Sequence, residues 1–199
     1  MIDHENKFIF IHVTKTAGTS IENAFDSSAG NTKSEVEYKH ESASYMKNKF
    51  PTEWESYFTF SIVRNPFDRM LSRYTWGKRK NLWNRYTSSF NIFVKRIDEG
   101  KKVMSTPHRI WLREALKSQS QMLCNEDGDL LVDYIGKFEN LQEDFNTICD
   151  KIVIPRQVLP HKNKSKHKHY TEYYNDETRS IVAKKYVKDI EMFGYEFGD

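Results

Sequence analysis

A chain of 199 residues is long enough for one domain that buries about 70% of its unfolded surface. Its net charge of only +3 excludes a global field for nucleic acid, so any basic binding site has to be local. No apolar run approaches the ~20 residues of a membrane span, and the polar start MIDHENK lacks the features of a signal peptide. Cys124 and Cys149 lack metal-ligand spacing and are too few for a disulfide framework. We therefore expect a single cytoplasmic domain over residues 1–199.

The first strong element lies in Phe8–Phe25, FIFIHVTKTAGTSIENAF. The run Phe8–Val13 is typical of a short buried strand, and a small-residue turn leads from it into an amphipathic helix with Thr19 or Ser20 as its N-cap. Such a turn exposes backbone N–H groups at the positive end of the helix dipole, which predicts an anion site. The turn is not the nucleotide-triphosphate motif G-x-x-x-x-G-K-[ST], because Lys15 precedes the only glycine. An ordinary turn with a solvated lysine is the alternative.

Further strands and helices are predicted along the rest of the chain. The alternation of Phe58, Phe60 and Ile62 with hydroxyl residues favours a second strand. The predicted elements are a helix over Ser42–Phe50 stopped by Pro51, the strand Trp54–Val63, a helix over Phe67–Arg79, core positions at helical spacing (Phe90, Phe93, Val94 and Ile97), a third strand over Leu130–Ile135, a helix from about Asn140, and a closing helix over Asp176–Phe193.

Arg64 and Ser72 form the second candidate site. Arg64 follows the second strand, and ligands of open α/β sheets bind at the carboxyl ends of strands. Ser72 lies about two helical turns further on, so an arginine fork and a hydroxyl are predicted to face one anionic group. The alternative is that Arg64 pairs with Asp68 and Ser72 only packs.

The two motifs together resemble a known family. FIHVTKTAGTS followed by FSIVRNPFDRMLSRY resembles the sulfotransferases that use 3′-phosphoadenosine-5′-phosphosulfate (PAPS), and VDYIGKFENLQEDFNTIC, LPHKNKS and DIEMFGYEFG extend the resemblance over most of the chain. The carbohydrate branch is the most similar, including heparan- and chondroitin-type enzymes, and the chain looks like a small bacterial or viral relative or a truncated form. Thr14 departs from the pattern, since the family usually has proline there. The resemblance implies an α/β, three-layer, P-loop-like fold with a short, mostly parallel central sheet flanked by helices.

The resemblance also implies donor-binding residues. The loop that cradles the 5′-phosphosulfate corresponds to Lys15, Thr16, Ala17, Gly18, Thr19 and Ser20. Arg64 and Ser72 correspond to the residues that hold the 3′-phosphate. Ser165 and Lys168, in the basic run KNKSKHKHY, correspond to a segment that folds over the nucleotide, although a solvated charged run is an equal alternative. The donor is PAPS, the product is 3′,5′-adenosine bisphosphate, and no metal is expected.

His40, in KHESAS, resembles the catalytic histidine of the family, and imidazole is the side chain best suited to general-base work near neutral pH. The alternative is a surface histidine at a helix start, with Glu41 or Glu37 as fallback bases. Lys15 is the second catalytic residue, because its charge would stabilise the departing phosphate.

Aromatic and basic residues alternate between Tyr74 and Trp111, a pattern that suits a sugar, an anionic glycan or a nucleic-acid strand. Trp76 and Arg79 are the candidate acceptor-binding residues. We expect sulfuryl transfer to a hydroxyl, on a glycan or a small metabolite, with no nucleic-acid partner and no membrane span. Two other functions stay open: a P-loop-like nucleotide kinase, and a non-catalytic protein that binds anionic glycan or nucleic acid.

Overall fold

A computed structural model describes residues 1–28, 40–84, 86–101, 103–104, 116–159 and 168–199, with side chains described for all of these except residues 26–28. The chain forms two compact units, and each unit is assembled from two separate stretches. Unit 1 comprises Met1–Arg64 and Gln119–Asn163, and unit 2 comprises Asn65–Ser118 and Lys164–Asp199. The single sulfotransferase-like domain of the sequence analysis stays a prediction.

Unit 1 contains a four-stranded sheet of mixed direction. Its strands, in spatial order, are β1 (Ile2–Asp3), β2 (Phe8–Ile11), β3 (Phe58–Val63) and β4 (Tyr134–Lys137). The edge strand β1 runs antiparallel to β2, whereas β2, β3 and β4 are parallel to one another. The register places Phe10 beside Phe60 and Ile62 beside Gly136. The predicted α/β fold with a short, mostly parallel sheet is confirmed.

The structure describes α-helices in both units. The described α-helices are α1 (Gly18–Ser28), α2 (Ala43–Lys49), α3 (Pro51–Ser56), α4 (Pro66–Arg79), α5 (Phe90–Asp98), α6 (Gln119–Leu123), α7 (Leu141–Lys151), α8 (Asp176–Lys185) and α9 (Val187–Phe193), with 3₁₀ turns at Phe138–Asn140 and Tyr170–Tyr173. Within the described part of the chain, none of these helices has the length and apolar character needed to cross a bilayer.

The core of unit 1 lies between one face of the sheet and two helices. Alternate strand residues pack against α1 and α7; the cluster includes Phe8, Phe10, Phe60, Ile62, Ile21, Ala24, Phe25, Phe145, Ile148 and Cys149. The opposite face is also closed to solvent, since Ile9, Ile11 and Val63 are buried. Burial on both faces explains why β2 is a continuous apolar run in the sequence.

Unit 2 has its own core around α4, α5 and α8. The buried residues include Phe67, Met70, Leu71, Tyr74, Phe90, Phe93, Val94, Val182 and Tyr186. The helix predicted over Phe67–Arg79 therefore contributes one buried apolar face, and the core interpretation of the Phe90 helix is confirmed, with Ile97 only partly buried.

The second predicted strand began too early. Residues 51–56 form α3 instead, because Pro51 occupies the first turn, where proline is favoured, and Glu53 adds an acidic group to that turn. The side chain of Trp54, which lies in α3, is buried, and β3 starts only at Phe58. Pro51 thus ends α2, as predicted, and also starts the next helix.

The third strand lies further along the chain than predicted. Asp133 accepts hydrogen bonds from the backbone N–H and the hydroxyl of Thr59, both at 2.8 Å, and this contact fixes where β4 begins. Leu130, the predicted start, is 43% exposed. Gly136 lies within β4. A Cβ at this position would lie 2.6 Å from the Ile62 side chain, which explains why the residue is glycine.

The closing helix is interrupted at Tyr186. Its backbone leaves the helical region (φ −116°, ψ 28°), and its buried hydroxyl donates to the carbonyl of Leu116 at 3.1 Å. The predicted continuous helix over Asp176–Phe193 is therefore two helices, α8 and α9, because a tertiary hydrogen bond sets the position of one aromatic residue.

Candidate active site

The loop between β2 and α1 has an unusual backbone. Lys15 and Ala17 both adopt the left-handed conformation, with φ of 70° and 66°. Inside the turn, the buried Thr16 hydroxyl donates to the Val13 carbonyl at 2.8 Å, and the Ser20 N–H donates to the Ala17 carbonyl at 2.8 Å. The loop therefore delivers the start of α1, with its positive dipole end, directly after the carboxyl end of β2.

Helix α1 begins at Gly18, so Thr19 and Ser20 lie inside the helix and the predicted N-cap is wrong. The physical reason is the contact between Gly18 and His12. A Cβ on Gly18 would lie 2.2 Å from the Nε2 and Cδ2 atoms of the His12 ring. Only glycine allows the first turn to approach the strand this closely.

His12 makes a buried contact with α1. Its Nδ1 lies 2.6 Å from Oε1 of Glu22, with side-chain exposures of 5% and 12%. A carboxylate only accepts hydrogen bonds, so Nδ1 of His12 carries the proton. The pair joins the end of β2 to the first turns of α1.

Arg64 lies at the end of β3 and is 7% exposed. Its Nη1 donates to the carbonyl of Lys15 at 3.1 Å, which places the guanidinium beside the β2–α1 loop. The Cζ atom lies 3.9 Å from the centroid of the Phe138 ring. The Gln119 amide accepts from the Arg64 N–H and donates to the Arg64 carbonyl, both at 2.9 Å.

His40 is exposed, and its Nδ1 lies 3.0 Å from the carbonyl oxygen of His12. Its ring meets the His12 ring edge-on, with 4.3 Å between centroids. A carbonyl only accepts, so Nδ1 of His40 donates and Nε2 is the basic nitrogen of the neutral ring. Glu41 is also exposed, Glu37 lies outside the described residues, and Ser42 caps α2 by accepting from the Tyr45 N–H.

The other predicted site residues belong to unit 2 or lie outside the described part of the chain. On α4, Ser72 is buried, Trp76 is half-buried and Arg79 is exposed. Lys168 is exposed and donates to Glu172 at 2.9 Å, a hydrogen bond that raises the pKa of Lys168. Ser165 lies outside the described residues. Within unit 1, then, the Arg64 guanidinium contacts the Lys15 backbone and His40 contacts the backbone of His12, while the roles of Lys15, Arg64 and His40 stay predictions.

The sequence analysis missed three residues beside this group. Phe138 directly follows β4, just as Arg64 directly follows β3. Because the carboxyl ends of parallel strands meet at one edge of a sheet, the position of Phe138 near Arg64 was available from the sequence. Gln119 and Glu22 gave no such signal, because their contacts join residues through the tertiary fold alone. In the described ranges, no set of three or more His, Cys, Asp or Glu side chains is placed to hold a metal ion.

A small-residue loop, a buried arginine and a histidine at the strand ends of an α/β sheet are typical of proteins that bind anionic donors. The sequence matches the description "Sulfotransferase family" over residues 1–196, and the chain therefore belongs to the sulfotransferase family.

Two individual relatives are similar to the chain. An uncharacterized protein of Archaeoglobus fulgidus is 29% identical over 105 residues, which is 53% of this chain and 75% of that protein. The crystal structure of a sulfotransferase from Alicyclobacillus acidocaldarius matches 78% of this chain at 17% identity with a TM-score of 0.39. The match spans 60% of the length of that sulfotransferase.

Proposed function

We propose that this protein transfers the sulfuryl group of PAPS to an acceptor hydroxyl on a carbohydrate and releases 3′,5′-adenosine bisphosphate. One observation supports the proposal most: Arg64 and His40 both contact the backbone of the segment between β2 and α1. Arg64 bonds the Lys15 carbonyl at 3.1 Å, and His40 bonds the His12 carbonyl, three residues earlier, at 3.0 Å. A cation and the proposed base therefore contact the backbone of the same segment, which also carries the proposed anion-binding loop.

The donor would be held through its anionic ends. The loop Lys15–Ser20 and the N-terminus of α1 suit the 5′-phosphosulfate, since backbone N–H groups, hydroxyls and one full charge are concentrated there. Arg64 suits the 3′-phosphate, because a guanidinium forms paired, charge-assisted hydrogen bonds with phosphate and is screened less when buried. The family resemblance adds Ser72, Ser165 and Lys168 to the donor residues.

The transfer needs a base and charge stabilisation. Nε2 of His40 takes the proton of the acceptor hydroxyl as the hydroxyl oxygen bonds to sulfur, and the bond from sulfur to the bridging phosphate oxygen breaks. Lys15 stabilises the negative charge that grows on that phosphate. Trp76 and Arg79 are proposed to bind the acceptor, by stacking and by charge. No metal takes part in this scheme.

Transfer of radiolabelled sulfate from PAPS tests this proposal, with heparan- and chondroitin-type glycans and small alcohols as acceptors. We expect His40→Ala to lower kcat by roughly 10²–10⁴-fold, to leave donor affinity nearly unchanged, and to remove the rise of rate with pH near neutrality. The matched control is His4→Ala, since His4 is an exposed histidine of the same unit that contacts Tyr57. If His40→Ala keeps wild-type turnover and pH profile, another residue is the base, and Glu41→Gln would be measured next.

A further inference from the structure

We propose that Glu22 and His12 are positioning residues that orient His40, an inference that rests on the proposed role of His40 as the base. The two residues form a line of contacts from α1 through the end of β2 to His40. The spacing is 2.6 Å from Glu22 to His12 and 3.0 Å from the His12 carbonyl to His40.

The Glu22–His12 pair is poorly explained by stability alone. Both side chains are almost fully removed from solvent, and burying charged partners costs desolvation energy that their attraction often only balances. An apolar pair at the same interface between β2 and α1 would hold the two elements as well. The polar pair does something that an apolar pair cannot do, because the Glu22 carboxylate selects one orientation and one tautomer of the His12 ring.

The His12 ring is also held from other sides. It occupies the space that a Cβ of residue 18 would fill, 2.2 Å from that position, so the ring lies directly against Gly18 at the start of α1. The Phe10 ring stacks nearby, with 5.6 Å between centroids and 20° between planes. Glu22 supplies the polar contact that fixes the remaining freedom of the ring.

Two contacts with His12 orient the His40 ring. The His12 carbonyl accepts from Nδ1 of His40, and the His12 ring meets the His40 ring at 64°. The backbone of His40 is in the left-handed region, at φ 71°, a conformation that is unfavourable for non-glycine residues. The surroundings therefore determine the His40 conformation, and they keep Nε2 as its basic nitrogen.

¹⁵N spectra of the imidazole rings test the positioning role without any activity measurement. The chain has seven histidines, and His40→Ala identifies the signals of His40. In the wild type we expect neutral His40 to show one tautomer, protonated at Nδ1. In Glu22→Ala we expect its two nitrogen shifts to move toward a common average, whereas Glu22→Gln keeps an acceptor oxygen and should retain most of the wild-type pattern.

The kinetic constants of the same variants give a second test of the positioning role. Glu22→Ala should lower kcat about tenfold, a fraction of the 10²–10⁴-fold effect of a general base, with the KM for donor within about twofold and with recovery in Glu22→Gln. The matched control is Asp133→Asn, which weakens another polar contact between two elements of unit 1, at the start of β3. This control should lower the Tm without changing kcat or the His40 spectrum.

A wild-type His40 spectrum and wild-type kcat in Glu22→Ala, with only a lower Tm, would overturn the proposal and leave Glu22 as a structural contact. If Glu22→Ala does not fold, Glu22→Leu is measured in its place, since leucine keeps most of the side-chain volume but cannot bond the His12 ring, and the same changes in the His40 spectrum and in kcat are expected. Failure of the proposed function itself gives a different result. In that case His40→Ala would keep wild-type turnover, whatever the His40 spectrum shows in the Glu22 variants.

Discussion

Arg64 contacts three parts of unit 1 from one buried position: the Lys15 carbonyl, the Phe138 ring and the Gln119 amide. The planar guanidinium lies against an aromatic face and beside a loop of small residues, so its orientation is set before any ligand arrives. Preorganisation of this kind raises affinity because less side-chain entropy is lost on binding.

Arg64→Ala should weaken binding of 3′,5′-adenosine bisphosphate by about 1.5–3 kcal/mol, the scale of a hydrogen bond to a charged group. The loss for 5′-AMP, which lacks the 3′-phosphate, should be much smaller. Calorimetric titration with both ligands measures the difference. Arg156→Ala is the control, because Arg156 is exposed and bonds Asp150 at 2.6 and 2.9 Å. Equal losses for the two ligands would show that Arg64 does not recognise the 3′-phosphate.

Helix α4 starts immediately after Arg64, and Asn65 secures this start. The Asn65 side chain accepts from the Phe67 N–H at 3.0 Å and donates to the Glu196 carbonyl at 2.7 Å and to the Tyr170 hydroxyl at 3.3 Å. One buried amide thus caps α4 and ties it to the last residues of the chain within unit 2.

Asn65→Ala should lower the free energy of unfolding by about 1–3 kcal/mol, because a cap is lost and buried partners lose their hydrogen bonds. Ser42→Ala, which removes only the cap of α2, should cost about 0.5–1 kcal/mol. Urea unfolding followed by circular dichroism compares the two. Equal losses would mean that the contacts of Asn65 beyond the cap contribute nothing.

A hydrogen bond between β4 and α7 makes the stability of the protein depend on pH in the alkaline range. The Tyr134 hydroxyl donates to Asp144 at 2.6 Å, and burial together with this hydrogen bond raises the pKa of Tyr134 to about 12. An unfolded tyrosine titrates near 10, so between about pH 10 and about pH 12 the unfolded chain binds fewer protons than the folded one. This contribution to stability is fully present below pH ~10 and is lost as pH rises to about 12.

Tyr134→Phe should therefore flatten part of the fall in stability with pH. Burial also raises the pKa of Tyr74, Tyr174 and Tyr186, so some alkaline slope should persist. Denaturant unfolding from about pH 8 to about pH 11.5 measures the slopes, with Tyr45→Phe as the exposed control. Identical slopes in Tyr134→Phe and the wild type would contradict the assignment.

The sequence was most informative where the period of apolar residues and the turn residues agreed. Both long parallel strands, the loop into α1 and the helix after Arg64 follow from local patterns and from resemblance. The start of α1, the shift of β4 and the break at Tyr186 did not follow, because Gly18, Asp133 and Tyr186 act through residues distant in the chain. Long-range contacts of single side chains leave no local period.

The candidate site divides in the same way. Lys15, Arg64 and His40 were predicted from motifs and their roles stay predictions; in unit 1, Arg64 contacts the Lys15 backbone and His40 contacts the His12 backbone. Glu22 contacts His12 and Gln119 contacts Arg64 through the tertiary fold, so both required the structure, whereas the position of Phe138 beside Arg64 was available from the sequence. The roles of Ser72, Ser165, Lys168, Trp76 and Arg79 stay predictions that follow from the family resemblance.

The choice of donor is the central claim, and it separates a sulfotransferase from a nucleotide kinase. The decisive measurement is calorimetric binding of 3′,5′-adenosine bisphosphate and of ATP to the full chain, each with a chelator and with Mg²⁺. The account predicts tight binding of the bisphosphate that Mg²⁺ does not change, and much weaker binding of ATP. Tight, Mg²⁺-dependent binding of ATP with no preference for the bisphosphate would contradict it.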